Sequence, residues 1–125
     1  MGIAIVEDER ALVDIYRRVF ARRNIVVCFV AFDGREALQK FIECMPKPHV
    51  ILMDHRLPGM SGIEVTREIL KIDPAEKIIF LSADADVQGE ALKAGAVAFI
   101  KKPASINTIV GAVQDAMADI AAGKK

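Results

Sequence analysis

Three acids, one hydroxyl and one amine stand at the ends of short apolar runs in this chain. Glu7 and Asp8 follow Ile3–Val6, Asp54 follows Val50–Met53, Ser82 follows Ile78–Leu81, and Lys102 lies just beyond Val97–Ile100. Carboxylates gathered in one cleft repel and raise each other's pKa values. A hard divalent cation relieves that repulsion, and carboxylates, a backbone carbonyl and water are the ligands that suit Mg²⁺. The Lys102 ammonium would hold an anion on the other side of the cleft. A cation, an ammonium and a spare carboxylate together suit a phosphoryl group. A carboxylate can attack phosphorus to give an aspartyl phosphate, while the two cations neutralise the equatorial oxygens.

The elements that would bring these residues together are legible in the apolar pattern. Five runs, Ile3–Val6, Ile25–Phe32, Val50–Met53, Ile78–Leu81 and Val97–Ile100, are near-continuously apolar and rich in Val, Ile and Phe, as strands buried on both faces are. Helical periods separate them. Leu12, Ile15, Tyr16 and Val19 share a face, as do Leu38, Phe41, Ile42 and Met45, then Val65, Ile69 and Ile72, and finally Ile106, Ile109, Val110, Val113, Met117 and Ile120. The fourth interval, Asp86–Ala94, is short and Ala-rich. Asp33 and Ser61 read as N-caps, with Glu36 and Glu64 three residues on. Asn24 and Gly95 suit left-handed C-terminal positions.

An uninterrupted (βα)₅ pattern predicts an α/β fold: a doubly wound, five-stranded parallel sheet of flavodoxin-like order 2-1-3-4-5. Ligands of such sheets bind beyond the carboxyl ends of the strands. Glu7, Asp8, Asp54, Ser82 and Lys102 therefore converge on one rim. A single domain is expected over residues 1–125, with the core in 1–120, a short tail in 121–125 and no output domain.

Composition excludes several classes of function. At 53% hydrophobic and 27% charged, the chain is not disordered. A chain of 125 residues can bury enough surface to fold without a disulfide or metal. Lys+Arg and Asp+Glu are 17 each, so no basic field attracts nucleic acid, and aromatics at 6% do not make a base-stacking platform. No apolar run approaches the ~20 residues of a membrane span, and no signal peptide is read before the first run. Cys28 and Cys44 show no metal-binding spacing, and Cys28, inside an apolar run, reads as a small core residue. The expectation is a reduced, cytoplasmic protein.

The stretch Ile3-Ala-Ile-Val-Glu-Asp-Glu9, the block Leu52-Met-Asp-His-Arg-Leu-Pro-Gly-Met-Ser-Gly62, the Leu81-Ser-Ala83 step and Gly95-Ala-Val-Ala-Phe-Ile-Lys-Lys-Pro103 resemble the receiver domains of two-component response regulators, over essentially the whole chain. The resemblance implies that Asp54 is the phosphoacceptor and that Mg²⁺ is the cofactor. Asp8 and Asp54 would ligate the metal directly, Glu7 through water, and Arg56 through its backbone carbonyl. Lys102, Ser82 and Ala83 would bind the phosphoryl group, with Ser82 as switch hydroxyl and Phe99 as the coupled aromatic. The Lys102–Pro103 peptide is expected to be cis. The phosphodonor would be a histidine kinase or phosphotransfer protein docking near helix 1. A downstream protein or a second copy would use the face of helix 4, strand 5 and helix 5, where Gly111, Ala112, Ala116 and Ala118 lie off the apolar stripe. Glu stands at 7 where Asp is common in the family. Arg56 lies beside the phosphosite and is expected, with Asp84 as a pairing partner, to tune the lifetime of the phosphorylated state.

Blander readings stand beside these. Asp8 could simply cap helix 1, Ser82 could be a turn residue, and Arg17, Arg18, Arg22 and Arg23 could be a solvated face with an Asp14–Arg18 pair. At the level of function, a degenerate, unphosphorylated receiver acting as a binding module is one alternative. A small Mg²⁺-dependent phosphatase with an aspartyl nucleophile is another, although such enzymes carry Asp-x-Asp after the first strand and a cap domain. A flavin or nucleotide carrier would need a Gly-rich loop after strand 1, which this chain lacks.

Overall fold

The computed structural model describes residues 2–123. Five parallel strands, β1 (Gly2–Val6), β2 (Val26–Ala31), β3 (Val50–Asp54), β4 (Lys77–Ser82) and β5 (Ala98–Lys101), form one sheet in the order β2-β1-β3-β4-β5. The intervening helices are α1 (Arg10–Ala21), α2 (Gly34–Glu43), α3 (Gly62–Ile72), α4 (Gln88–Ala94) and α5 (Ile106–Ala121). A short 3₁₀ turn, Ala85–Val87, leads into α4. The predicted architecture and strand order are those observed.

Alternation along the strands divides the core into two layers. Ile3, Ile5, Val50, Leu52, Ile79 and Leu81 face α1 and α5, where Val13, Tyr16, Phe20, Ile109 and Val113 meet them. Ala4, Val6, Ile51, Met53, Ile78 and Phe80 face α2, α3 and α4, against Phe41, Ile69 and Ala91. Burying each large apolar side chain stabilises the fold by about 1.5–3 kcal/mol, so the three central strands, buried on both faces, are the rigid frame.

The edge strands are less covered than the sequence predicts. β2 is buried only in its last two residues and β5 is partly exposed throughout. Cys28 is consequently exposed, not a core residue: an edge strand lacks a neighbour and helix cover over its first half. The helical faces are also rotated. Ile15, Ile42, Met45 and Ile72 are exposed, while Val13, Phe20 and Ala37 are buried. A 3.6-residue period allows adjacent stripes that overlap in Tyr16 or Phe41, and the contact with the sheet decides between them.

Local signals set the helix ends. The Asp33 carboxylate accepts from the Glu36 N–H at 2.8 Å, and Glu36 reaches back to the Phe32 N–H at 2.6 Å. Ser61 Oγ accepts from the Glu64 N–H. Asn24 takes a left-handed φ of 57° and Gly95 one of 113°, as their residue types allow. α5 runs through Ala121, so the expected tail starts later. Lys124 and Lys125 lie outside the described residues. Ala112 and Ala116 pack against the α1/α5 layer, whereas Ala118 is exposed.

Candidate functional site

The backbone ladder continues past the strand ends and fixes the rim residues. The Glu7 N–H donates to the Ala31 carbonyl at 3.0 Å, the His55 N–H to Leu81 at 3.3 Å, and the Lys102 N–H to Ser82 at 2.8 Å. Asp54 itself pairs in register with Leu81. Close packing behind Asp54 depends on Gly62, because a Cβ there would collide with the Asp54 carbonyl oxygen. The Gly62 N–H also donates to the His55 carbonyl at 2.9 Å. Sequence reasoning assigned Gly62 no role. Its position at the start of α3, directly after the Ser61 cap, was the available signal.

One open cleft is lined by Glu7, Asp8, Asp54, Arg56, Ser82, Ala83, Asp84 and Lys102. Ligand oxygens of Glu7, Asp8 and Asp54 lie within 4.8 Å of one another. Lys102 Nζ bridges two of these acids, at 2.9 Å from Glu7 Oε1 and 3.1 Å from Asp54 Oδ1. Glu7 and Asp54 are only 3% and 6% exposed, whereas Asp8 is exposed. The α1 N-cap is Glu9, with no side-chain capping bond, so Asp8 is not consumed as a cap. The Lys102–Pro103 peptide is cis, as expected.

Burial raises the pKa of Glu7, the Lys102 hydrogen bond opposes that, and the Asp54 charge adds to the rise. For Lys102, burial alone would lower the amine, but the Glu7 hydrogen bond and the Asp54 charge outweigh it and raise the value. Two buried carboxylates share one ammonium, leaving the centre short of positive charge. An all-oxygen donor set with that deficit fits a hard divalent cation such as Mg²⁺.

Around this centre, Ser82 is 3% exposed and its Oγ accepts from the Asp84 N–H at 3.0 Å. A hydroxyl that accepts still has a proton to donate. Phe99 is half-buried and stacks on Phe80 with ring centroids 6.2 Å apart. The expected Arg56–Asp84 pair is not formed. Ion pairs within 4 Å among the described residues are Glu36–Lys40, Glu68–Lys71 and the two of Lys102. The Asp84 carboxylate instead caps the 3₁₀ turn, accepting from the Asp86 N–H at 2.9 Å. The Asp14–Arg18 pair is likewise absent from that set.

The family model of the response regulator receiver domain matches residues 3–114. This chain belongs to that family. It is 37% identical over 113 residues to the chemotaxis protein CheY of Thermotoga maritima, covering 89% of this chain and 92% of the relative. Among solved structures, it is similar to the CheX–CheY–BeF₃–Mg²⁺ complex of Borrelia burgdorferi, with a TM-score of 0.87 at 25% identity, covering 94% of this chain and 89% of that one. A LuxR-family two-component response regulator from Aurantimonas sp. matches with a TM-score of 0.85 at 31% identity, over 99% and 86% of the two chains. The protein is thus a CheY-type receiver domain, a two-component signalling module with a cluster of acids on its sheet rim. No helix among the described residues is long and apolar enough to cross a membrane.

Proposed function

We propose that Asp54 accepts a phosphoryl group from a histidine kinase or phosphotransfer protein and passes the change to the α4–β5–α5 face. The observation that carries this reading is the Lys102 ammonium bridging Glu7 and Asp54 beside Asp8. An Asp54 oxygen attacks phosphorus, the donor's bond to phosphorus breaks, and Lys102 moves from Asp54 to a phosphoryl oxygen. Glu7, Asp8, Asp54 and the Arg56 carbonyl would hold Mg²⁺, which when bound neutralises charge on the transferring oxygens. Ser82 donates its hydroxyl proton to a phosphate oxygen, and its movement gives Phe99 room to turn inward. Ala83, exposed in the same loop, presents its backbone to the phosphate.

The donor's dock near α1 is supported by that helix starting in the cleft wall at Glu9 and by exposed Arg17, Arg18, Arg22 and Arg23. The output face carries Leu92 and Val97, 45% and 46% exposed, which suits a protein partner or a second copy. A cytoplasmic signalling protein without turnover of its own is the consistent picture. Incubation with acetyl phosphate and Mg²⁺ is expected to add one phosphoryl group by intact mass, and excess chelator to suppress it. Equal gain with chelator would overturn the metal-dependent reading, and sustained turnover of phosphate monoesters would favour the phosphatase.

The lifetime of the phosphorylated state is expected to depend on Arg56. Its long cation lines the cleft beside Asp54, where hydrolytic water must approach in line with the phosphorus. Exposed side chains of this kind contribute about 0–1 kcal/mol to stability, so Arg56→Ala should change decay a few fold and leave Tm nearly unmoved. Because Asp84 caps the 3₁₀ turn instead of holding Arg56, Asp84→Ala should decay like wild type. Identical decay in wild type and Arg56→Ala would leave Arg56 a solvated loop residue.

A further inference from the structure

Charge is unevenly placed along this chain. Between residues 10 and 32 stand five arginines and a single acid, Asp14, although the whole chain is neutral. Arg17, Arg18, Arg22 and Arg23 are exposed, and among the described residues none of them has a carboxylate within 4 Å. Arg17 lines a groove of about 590 Å³ together with Ala21, Asn24, Ile25, Val26 and Val27. Val26 is 65% exposed there. The groove adjoins the start of β2, an edge strand bonded to β1 alone. Further along, that edge is closed. The Lys40 ammonium donates to the Val30 carbonyl at 2.6 Å. The β1–β2 register pairs Ile3 with Val27 and Ala4 with Phe29, leaving Cys28 as the extra residue of a bulge. Lysines and bulges blunt sheet edges. Val26 and Val27 come before the bulge and lie in the groove without that protection.

We propose that this groove and the arginines around it dock an extended, acidic segment of a partner protein, which lies along the open start of β2. Free sheet edges take up extended peptides through main-chain hydrogen bonds, and side-chain contacts set the specificity. Apolar side chains of the segment rest on Val26 and Val27, and its carboxylates meet the unpaired arginines of α1. A second copy of this chain does not fit, because joining two such faces sets arginine against arginine. A nucleic acid supplies the negative charge but no apolar side chains to cover the valines. The phosphodonor must reach Asp54 past the Glu9 end of α1. Arg17 and Arg22 lie about 12 and 20 Å further along the helix axis, so a partner here leaves the cleft open. None of the phosphosite residues takes part.

The test titrates the isotope-labelled chain with a short peptide of alternating Glu and Val and follows the backbone amide shifts. The expected result is a set of shifts confined to residues 17–28, with binding that weakens as salt rises. A peptide with Lys in place of each Glu should not bind. Arg17→Glu combined with Arg22→Glu turns attraction into repulsion and should weaken binding about tenfold or more. Val26→Asp, which leaves every arginine in place, should weaken it as well. Both variants change exposed side chains, so their melting curves should match wild type. Equal binding of the Lys peptide, tighter binding of a DNA duplex, shifts confined to the phosphosite cleft, or unchanged affinity in either variant would each overturn the proposal. So would shifts at residues 17–28 that grow with the chain's own concentration in the absence of peptide, which mark a second copy.

Discussion

Asp54→Asn is expected to abolish phosphoryl uptake from acetyl phosphate while leaving the fold at least as stable. The substitution keeps size and shape but replaces an anionic carboxylate with an amide, a far weaker nucleophile towards phosphorus. It also removes a charge from the acid cluster. In the native chain Glu7 and Asp54 are both nearly buried and compete for the single Lys102 ammonium. With Asn at 54, Lys102 retains Glu7 as its ion-pair partner and the repulsion between the two carboxylates is gone. The upward push that Asp54 exerts on Glu7 should therefore weaken, and affinity for Mg²⁺ should fall with the lost ligand. Intact mass after incubation with donor and Mg²⁺ decides the first point, and a melting curve the second. A variant that still gains a phosphoryl group at the wild-type rate would move the acceptor elsewhere. A variant that fails to gain one but also melts well below wild type would trace the loss to folding.

The rim of the site is legible in the sequence because its residues are tied to strand ends, and strand ends are marked by where apolar runs stop. Glu7, Asp54 and Ser82 are each the first polar residue after such a run, so a parallel sheet must gather them. Other features were not legible, each for a physical reason. The stripe a helix buries depends on its rotation against the sheet, which is why Ile15 and Ile42 face solvent. An apolar run says nothing about whether its strand lies at an edge, so Cys28 read as core and is instead an exposed bulge residue. A salt bridge between exposed side chains contributes little and yields to a backbone bond, so Asp84 serves the 3₁₀ turn instead of Arg56. Glu76 gave no sequence signal at all. A Glu next to Lys77 before a strand looks like an ordinary solvated loop residue.

That residue carries the largest expected effect on stability. Glu76 joins α3 to β4 and is 6% exposed. Its Oε1 is, among the described residues, a buried polar atom without a hydrogen-bond partner, an arrangement native proteins generally avoid. Burial is the main cause that lifts its carboxyl from 4.5 to about 8, and the Asp73 charge adds to it. The Lys77 backbone N–H and Lys47 pull in the other direction, but too weakly. The Lys47 ammonium is occupied at the end of α2, bonded to the Phe41 and Ile42 carbonyls and lying 4.6 Å over the Phe41 ring. Between pH 4.5 and 8 the folded chain keeps a proton that the unfolded chain has released. Stability from this group is thus fully present below the unfolded value and is lost as pH rises through the folded one. Each pKa unit is worth about 1.4 kcal/mol, so the penalty on the charged form is on the order of 5 kcal/mol. Glu76→Gln, which mimics the protonated acid, should match wild type near pH 4, below the unfolded value, and exceed its unfolding free energy by a few kcal/mol at pH 9. Urea denaturation of both proteins across that range isolates Glu76, because every other titrating group cancels in the difference. A difference that stays flat with pH would mean that the Glu76 carboxylate is solvated in the folded chain.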